Sequence, residues 1–426
     1  MTGPKWFEMP QFFRTRKTCR LCESPAVEVV VPLKPIALAT PNLDLQVVRR
    51  EHAGAAQVSI PMDLYLCRQC GHLQLLDIID PDIQYAHFKY TTSISLGLPE
   101  HFRKLAGELI VSTAAKIGAL VVEIGSNDGT LLRPFKEQGF NVLGIDPARE
   151  TARRATATGI PTLADFFTSK LAAEIVERNG RAAIVIANNT FANIDDLDDV
   201  AAGIKELLAS DGVFVFETSY GADVVEKVLI DTVYHEHLSY FMVRSLIRFF
   251  QRHDLALYDV QHIWTKGGSL RGFVKHVTDV RPISASVAAM AERERRLGLD
   301  DLAPYRKFAA HIDNVRAKLQ RIVAEYKDAG QKIAGYGASV GTVTLIQQFE
   351  LGSALDFIAD DNPLTDAIVG PAYHIPVLPP AALEERKPSL VVILAWRYAE
   401  PIRQKAIGYL RHGAKLLVPL PTVEFV

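Results

Sequence analysis

The chain has 426 residues, which at about 100–200 residues per domain predicts two or three domains. Its composition, 48% hydrophobic and 23% charged, is that of a globular protein and excludes low-complexity and collagen-like chains. Lysine and arginine (47) nearly balance aspartate and glutamate (49), so a broadly basic surface for nucleic acid is disfavoured. No apolar run reaches the ~20 residues of a membrane helix, and residues 1–17 contain no signal-peptide core. We therefore expect a soluble, cytoplasmic protein with no membrane or nucleic-acid partner.

All four cysteines lie in the first 70 residues, as two C-x2-C pairs: Cys19 with Cys22, and Cys67 with Cys70. Thiolates three positions apart on a tight turn can bind one ion, and two such knuckles complete a tetrahedral site that suits zinc. Four protein ligands leave no open position, so this zinc is expected to be structural. The alternative is four buried or redox-active cysteines, although a reducing compartment disfavours disulfides. His72 is expected to be an exposed loop histidine rather than a further ligand.

Strands and helices alternate along the middle of the chain, which predicts an α/β fold with a parallel sheet and crossover helices. Strands are predicted to begin at Leu120, Asn141, Ala182 and Gly212. A hairpin-like pair, starting at Leu257 and Leu270, would add antiparallel strands at the sheet edge. Residues 284–328 are predicted to be a charged helical linker with a solvated face. The alternation then restarts at Lys332, which predicts a second, shorter doubly wound unit.

The first glycine-rich loop, Glu123-Ile-Gly-Ser-Asn-Asp-Gly129, lies between a predicted strand and a helix. Asn127 replaces the middle glycine of the dinucleotide fingerprint, and two carboxylates disfavour a pyrophosphate, so a cationic ligand fits better. Asp146 ends the next predicted strand, where an acid binds ribose hydroxyls, and Asp165 with Phe166 would contact an adenine. The alternative is a structural turn beside a chance acid. This pattern predicts an S-adenosylmethionine site whose residues include Glu123, Gly125, Asn127, Asp128, Asp146, Asp165 and Phe166.

With these features in order, the chain resembles the zinc-containing, S-adenosylmethionine-dependent sugar C-methyltransferases that make branched deoxysugars on nucleotide carriers. The resemblance covers nearly the full length. Besides the cysteines and the glycine loop, it rests on Tyr85-AHFKYTTSIS with His101-Phe102, Asn188-Asn189, Tyr234-His-Glu-His237, Gly267-Gly-Ser-Leu-Arg271, Gly335-Tyr-Gly-Ala338, Asp360-Asp-Asn-Pro363 and Leu394-Ala-Trp396. It implies that Asn188 belongs to the donor site.

The resemblance also implies three domains. Residues 1–80 would form a zinc-binding domain, and residues 81–283 a class I methyltransferase domain with a Rossmann-like sheet. Residues 284–426 would form the helical linker and a second Rossmann-like domain that helps to hold a sugar nucleotide.

Carbon methylation beside a ketone needs a base for the α-proton, a donor for the enolate oxygen and an aligned methyl group. Tyr234 to His237 offer such groups in a loop near the carboxyl edge of the sheet, where open α/β sheets bind ligands. By resemblance, His237 is the candidate base, Glu236 and Tyr234 orient it or contact the sugar, and Tyr90 is a second phenol. The alternative is a pair of histidines in a solvent-facing loop beside a core tyrosine.

The substrate site is expected to draw on the C-terminal unit. Its glycine motif runs from Gly335 to Gly341 and, read alone, would suggest NAD, but its spacing is one residue off the fingerprint. A sugar-nucleotide role is preferred, with Ser339 and the following helix N-terminus near the diphosphate. Asn193 stands where relatives often carry histidine; it can donate a hydrogen bond but cannot act as a base. Further candidates for this cleft are Arg271, Tyr336 and Trp396.

These observations predict an S-adenosylmethionine-dependent C-methyltransferase acting on a nucleotide-diphosphate keto-deoxysugar in branched-chain sugar biosynthesis. Two alternatives remain. One is an O- or N-methyltransferase on a related sugar nucleotide, and the other is an NAD-dependent sugar-nucleotide oxidoreductase or binding protein. A monomer or weak dimer is expected.

Overall fold

The computed structural model describes residues 12–37, 58–95, 97–362, 367–370, 373–410 and 413–426. Its strands, in chain order, are β1 Phe13–Thr15, β2 Val27–Val31, β3 Ile36–Ala37, β4 Ser59–Ile60, β5 Leu64–Cys67, β6 Leu73–Gln74, β7 Asp77–Ile79, β8 Leu120–Ile124, β9 Asn141–Ile145, β10 Thr162–Leu163, β11 Ala182–Asn188, β12 Leu208–Ser219, β13 Ser239–Tyr240, β14 Leu255–Ile263, β15 Ser269–His276, β16 Ile333–Tyr336, β17 Phe357–Ala359, β18 Ala367–Gly370, β19 Tyr373–Leu378, β20 Leu390–Ile393, β21 Lys415–Val418 and β22 Glu424–Phe425.

The α-helices are α1 Pro81–Tyr85, α2 Leu98–Thr113, α3 Leu132–Glu137, α4 Arg149–Ala157, α5 Ser169–Asn179, α6 Leu197–Leu207, α7 Gly221–Glu226, α8 Val243–Arg252, α9 Ala285–Arg296, α10 Ala303–Asp328, α11 Val340–Gln348, α12 Ala382–Arg386 and α13 Ala399–Ile407. None of the helices in the described ranges is both long and apolar enough to cross a bilayer.

The central sheet has seven strands in the order β10-β9-β8-β11-β12-β15-β14. The first five are parallel, whereas β15 runs antiparallel to both β12 and β14, as the hairpin prediction required. The parallel core strands are almost continuous apolar runs because helices cover both faces. From β8 the chain crosses first to β9 on one side and later to β11 on the other, so the carboxyl ends of β8 and β11 flank a topological switch point, where such sheets bind ligands.

The N-terminal module is built on a four-stranded antiparallel sheet, β13-β6-β5-β2. Its edge strand β13 comes from far along the chain, directly after the Tyr234–His237 segment, so a segment of the methyltransferase part completes the sheet of the N-terminal module. The expectation for His72 was wrong. This histidine is fully buried, its Nε2 lies 3.1 Å from the Ser239 Oγ, and its ring stacks on Phe241 at 5.4 Å. His72 is buried because β13 pairs with β6, and no local sequence pattern predicts that pairing.

The C-terminal sheet has the order β18-β19-β17-β16-β20-β21-β22, with a parallel five-stranded centre. This confirms the second Rossmann-like unit. The preceding helices are more than a solvated linker. Helix α10 buries a stripe of apolar side chains, and Glu294 on α9 is only 1% exposed. The Glu294 carboxylate accepts hydrogen bonds from the backbone amides of Val243 and Arg244 at 2.6 and 3.1 Å, so it caps the first turn of α8.

Candidate active site

The four cysteine sulfurs converge at one point of the N-terminal module. All four Sγ atoms lie within 4.8 Å of one another, and the Cys19–Cys70 and Cys22–Cys67 pairs are each 3.6 Å apart. Tetrahedral zinc with Zn–S bonds of about 2.3 Å has S–S edges of about 3.8 Å, so the thiol set fits that ion. The turn depends on Gly71, whose φ of 77° is a left-handed conformation that suits glycine.

A cavity of about 790 Å³ opens at the switch point of the central sheet, between the N-terminal module and the C-terminal unit. The segments around it come from all three parts of the chain. The predicted residues that line it are Tyr90, Glu123, Gly125, Asn127, Asp146, Asp165, Phe166, Asn188, Asn193, Tyr234, Glu236, His237 and Ser339. The fold therefore gathers the proposed donor loop and the proposed catalytic loop around one space.

Four predicted residues do not belong to the cavity lining of the described chain. Asp128 accepts hydrogen bonds from Thr130 and from the backbone amide of Ser93, so it anchors the glycine loop. Arg271 is buried in a pair with Glu217, at 2.9 Å. The other two, Tyr336 and Trp396, pack in the core of the C-terminal unit.

The Asn127 side chain joins the first glycine loop to the segment of residues 85–95. Its φ is 49°, a left-handed conformation that asparagine tolerates. Its side-chain oxygen accepts from the Thr92 amide at 2.9 Å, and its side-chain nitrogen donates to the Tyr90 carbonyl at 2.9 Å. Its backbone amide donates to the Asp146 carboxylate at 2.8 Å. The residue that departs from the dinucleotide fingerprint thus joins the donor loop to the wall that carries Tyr90.

Gly125 allows the strand end and the neighbouring loop to approach closely. A Cβ at this position would lie 2.1 Å from the Thr190 Oγ1, and the φ of 72° also favours glycine. Thr190, which sequence reasoning missed, follows β11 and lines the cavity beside Asn188. The glycine is therefore required by packing as well as by the turn.

The end of the cavity beside the first glycine loop is acidic and has unused hydrogen-bonding capacity. Burial raises the pKa of Glu123 well above its usual value, and the nearby charges of Asp128 and Asp146 add to the shift. Within the described residues, the Glu123 Oε2 and both polar atoms of the Asn188 amide make no hydrogen bond. A buried carboxylate of this kind costs free energy unless a donor or cation joins it. These residues fit a ligand with cationic and hydrogen-bonding groups, such as S-adenosylmethionine.

His237 lies in the cavity wall as a neutral imidazole. Its Nδ1 donates to the Thr232 carbonyl at 3.0 Å, which leaves Nε2 as an acceptor, 2.9 Å from the Tyr234 hydroxyl. Burial lowers the pKa of His237 to about 3, and the charge of Lys266 contributes. Burial also raises the pKa of Tyr234, so its hydroxyl keeps the proton it donates. The geometry thus sets the tautomer and leaves Nε2, which accepts from Tyr234, as the nitrogen that can take up a proton.

The other histidine of the motif has a different partner. His235 is buried and directs Nε2 to the Pro61 carbonyl, 3.0 Å away in the N-terminal module. The two histidines are therefore not in a solvent-facing loop, and His237 is the one that lines the cavity.

The C-terminal unit contacts the Tyr234–His237 loop directly. Ser339 caps α11 with a capping box, and residues 339–341 line the cavity. The Thr344 hydroxyl donates to the Val233 carbonyl at 2.7 Å, one residue before Tyr234. Asp360 accepts hydrogen bonds from the backbone amides of Ala338, in the glycine loop after β16, and of Asn362 in its own loop, so it links the two loops. Pro363 of the same motif lies outside the described residues.

Two charged residues of the cavity lining carry no sequence signal. Lys266 and Arg397 both line the cavity, and Arg397 pairs with Asp231 at 2.6 Å. These side chains are separated by more than a hundred residues along the chain and meet only in the tertiary structure. The one local hint was that Lys266 precedes two glycines in a turn.

Comparison with known proteins identifies the family of the chain. The chain is 33% identical over 372 residues to the C-methyltransferase NovU of Streptomyces niveus. The aligned region covers 87% of this chain and 89% of that protein. The chain belongs to the C-methyltransferase family. Family models described as "C-methyltransferase C-terminal domain", "Methyltransferase domain" and "Putative zinc binding domain" match residues 264–421, 100–260 and 19–85 of this C-methyltransferase.

Solved structures align with parts of this C-methyltransferase at low identity. One is a magnesium protoporphyrin IX methyltransferase from Synechocystis PCC 6803 with bound SAM, at 14% identity, covering 41% of this chain and 78% of that one, TM-score 0.30. Another is an S-adenosylmethionine-dependent methyltransferase from Clostridium acetobutylicum ATCC 824, at 14% identity, 42% and 91% coverage, TM-score 0.34.

Family membership confirms the predicted enzyme class, an S-adenosylmethionine-dependent C-methyltransferase with a zinc-binding module. It decides between the predicted activities in favour of methyl transfer to carbon. The cofactors follow: S-adenosylmethionine, and zinc, whose ligand set fits the four-cysteine cluster.

Proposed function

We propose that this C-methyltransferase acts on a nucleotide-diphosphate keto-deoxysugar and methylates the carbon beside the ketone through an enolate. The observation that carries the proposal is the neutral imidazole of His237. It lines the cavity with a lone pair on Nε2 and with its tautomer set by Thr232. A carbon nucleophile requires a base of this kind, whereas many oxygen and nitrogen nucleophiles carry their own lone pair.

The charges on the cavity wall support a substrate with a negative end. The donor end carries Glu123 and Asp146, whereas the lining that the C-terminal unit contributes carries Arg397 and the N-terminus of α11. A diphosphate would be repelled by the first group and attracted by the second. Such a substrate would therefore enter with its phosphates towards the C-terminal unit and its sugar towards His237.

S-adenosylmethionine, when bound, supplies a methyl group on a positively charged sulfur. The protein's part is the proton chemistry. The α-hydrogen of the substrate passes to the His237 Nε2, and the imidazolium keeps its Nδ1–H on the Thr232 carbonyl. Tyr234, which donates to Nε2 in the ligand-free site, turns its hydroxyl to the substrate before that transfer and so frees the Nε2 lone pair. Glu236, in the same wall, would contact the sugar or balance the new imidazolium charge.

The test is hydrogen exchange at the carbon beside the ketone, followed by NMR in deuterated solvent without methyl donor. A panel of nucleotide keto-sugars is then given labelled donor to find the product. We expect wild-type exchange and C-methylation with at least one substrate, and loss of both in His237→Gln. The matched control is His235→Gln, two residues away, which should retain both reactions. Normal exchange in His237→Gln would refute the base assignment, and no C-methyl product from any keto-sugar would refute the substrate class.

A further inference from the structure

Lys266 is held in an unusual backbone conformation at the cavity wall. It lies in the turn between β14 and β15 with φ 54° and ψ 24°, the left-handed region that few lysines adopt. The turn is fixed on both sides. The Thr265 hydroxyl donates to the buried Glu217 carboxylate at 2.9 Å, and the Gly267 carbonyl accepts from Lys227 at 3.0 Å. Such strained residues persist where the surroundings over-determine them, and they cluster at functional sites.

The side chain of Lys266 brings a positive charge without a fixed partner into the cavity. It lines the same wall as Tyr234, Glu236 and His237. Across the part of the chain that the structure describes, its ammonium makes no hydrogen bond and no ion pair within 4.0 Å. The charged groups around it are Glu217 at the end of β12, Glu236 and Arg397. Burial lowers its pKa to about 8, and Arg397 adds to this effect, while the two glutamates oppose it.

The neighbouring cation of the wall is already engaged. Arg397 forms an ion pair with Asp231 at 2.6 Å, so part of its charge is neutralised before any substrate binds. The charge of Lys266 is also felt at the base, since it helps to lower the pKa of His237. A cation that weakens the base would hinder deprotonation, unless the same cation stabilises the anion that deprotonation creates.

We propose that Lys266 is a catalytic residue that stabilises the enolate oxygen by donating a hydrogen bond from its ammonium group. This inference rests on the proposed function. The C–H bond beside the ketone breaks, its proton goes to the His237 Nε2, and its electron pair moves into the enolate, whose oxygen takes the negative charge beside Lys266. The carbon then forms its bond to the methyl group, the C–S bond breaks with its electron pair left on sulfur, and the ketone reforms. The imidazolium returns its proton to solvent.

Three variants test the assignment. Lys266→Met removes the charge at similar length, Lys266→Arg keeps a charge, and Lys307→Met removes an exposed lysine from α10 as the control. The measurements are α-hydrogen exchange without donor, kcat and KM for methyl transfer, and affinity for S-adenosylhomocysteine as a check of the folded donor site. Removal of one oxyanion donor typically costs about 10²–10³ in rate. We expect exchange and kcat of Lys266→Met to fall by that factor with KM changed by only about threefold, and Lys307→Met to match wild type.

The pH profile gives a readout that a structural role would not change. The ammonium is charged below about pH 8, so wild-type exchange should decline as pH rises through that value. Lys266→Arg should recover part of the exchange rate and lose this decline, because guanidinium stays protonated. Exchange in Lys266→Met within threefold of wild type, or an effect on KM alone, would overturn the assignment. Wild type that exchanges no substrate would instead refute the proposed function.

Discussion

Replacing Arg20 by methionine should destabilise the protein and slow methyl transfer, although Arg20 neither holds zinc nor lines the cavity. Arg20 lies between Cys19 and Cys22 in the first knuckle and is 1% exposed. Its Nε donates to Asp195 at 2.9 Å, and Nη1 donates to the Leu238 carbonyl at 3.0 Å. Asp195 lines the cavity and Leu238 directly follows His237. The Arg20 side chain therefore connects the zinc-binding module to two residues of the cavity lining, Asp195 and Leu238.

The expected loss of folding free energy follows from the hydrogen-bond acceptors that Arg20 serves. Nη1 and Nη2 of Arg20 also donate to the Gln74 side chain at 3.2 Å and to the Leu75 carbonyl at 3.0 Å. Among the described residues only the Leu75 carbonyl loses its sole donor, at a cost of about 1–3 kcal/mol, because the Gln74 Oε1 keeps the Arg20 backbone amide and the Leu238 carbonyl keeps the Leu75 amide. Breaking a buried ion pair costs about 3–5 kcal/mol. Asp195 keeps Arg14 and Arg16 as neighbours, so we expect the lower total, about 3–5 kcal/mol.

Urea unfolding of the zinc-loaded enzyme measures this loss, and initial rates of methyl transfer measure the effect on the site. Arg178→Met is the matched control, because that arginine is exposed and lies 3.6 Å from Glu174 on the same helix. Such a pair is worth about 0.5 kcal/mol or less. If Arg20→Met and Arg178→Met unfold within about 1 kcal/mol of each other, the reasoning from buried acceptors is refuted.

Three further changes have defined outcomes. Mass spectrometry should find one zinc per chain, and chelation should lower the urea midpoint, with recovery on adding zinc; a content well below one would contradict the four-cysteine site. Glu123→Gln should weaken donor binding in calorimetry, because it removes negative charge. The same variant should stabilise the ligand-free enzyme above about pH 5, since a carboxyl whose pKa is raised in the folded state loses stability as pH rises. Weaker binding without that gain would argue against repulsion from Asp128 and Asp146. Thr344→Val should cost about 1–3 kcal/mol and lower kcat, because it leaves the buried Val233 carbonyl without its donor. Thr344→Ser should restore both, and equal kcat in the two variants would show that this contact does not position the loop.

Much of the fold could be predicted because its signals are local. The parallel strands are apolar runs between turns, and β8, β9 and β11 begin at the expected residues Leu120, Asn141 and Ala182. The β14–β15 hairpin at the sheet edge was also predictable, from two strand-like segments on either side of Gly267 and Gly268. Boundaries of short elements were less predictable. The two-residue strand β10, Thr162–Leu163, pairs with β9 and is too short to show a periodic pattern of its own.

The candidate site was predictable where a motif carries its own chemistry and not where distant segments meet. Glu123, Asn127 and His237 stand in recognisable loops and all line the cavity. Lys266 and Arg397 have no such context. Conversely, the sequence allowed Arg271 to be a surface residue or a residue of the substrate cleft. In the structure, strand β15 places it in a buried ion pair with Glu217.

The sequence by itself determined the zinc knuckles, the donor loop and the order of the sheets, since spacing and periodicity act within a few residues of the chain. Only the tertiary structure decided which polar groups are buried and with whom. His72 is buried because β13 pairs with β6, and Glu294 because α9 caps α8. Those contacts span 167 and 51 residues, and burial depends on such distant neighbours rather than on adjacent residues. The four cysteines illustrate both the local signals and the tertiary contacts. Their spacing predicted the ion, whereas Arg20 between them links that ion to the active site only through contacts made on folding.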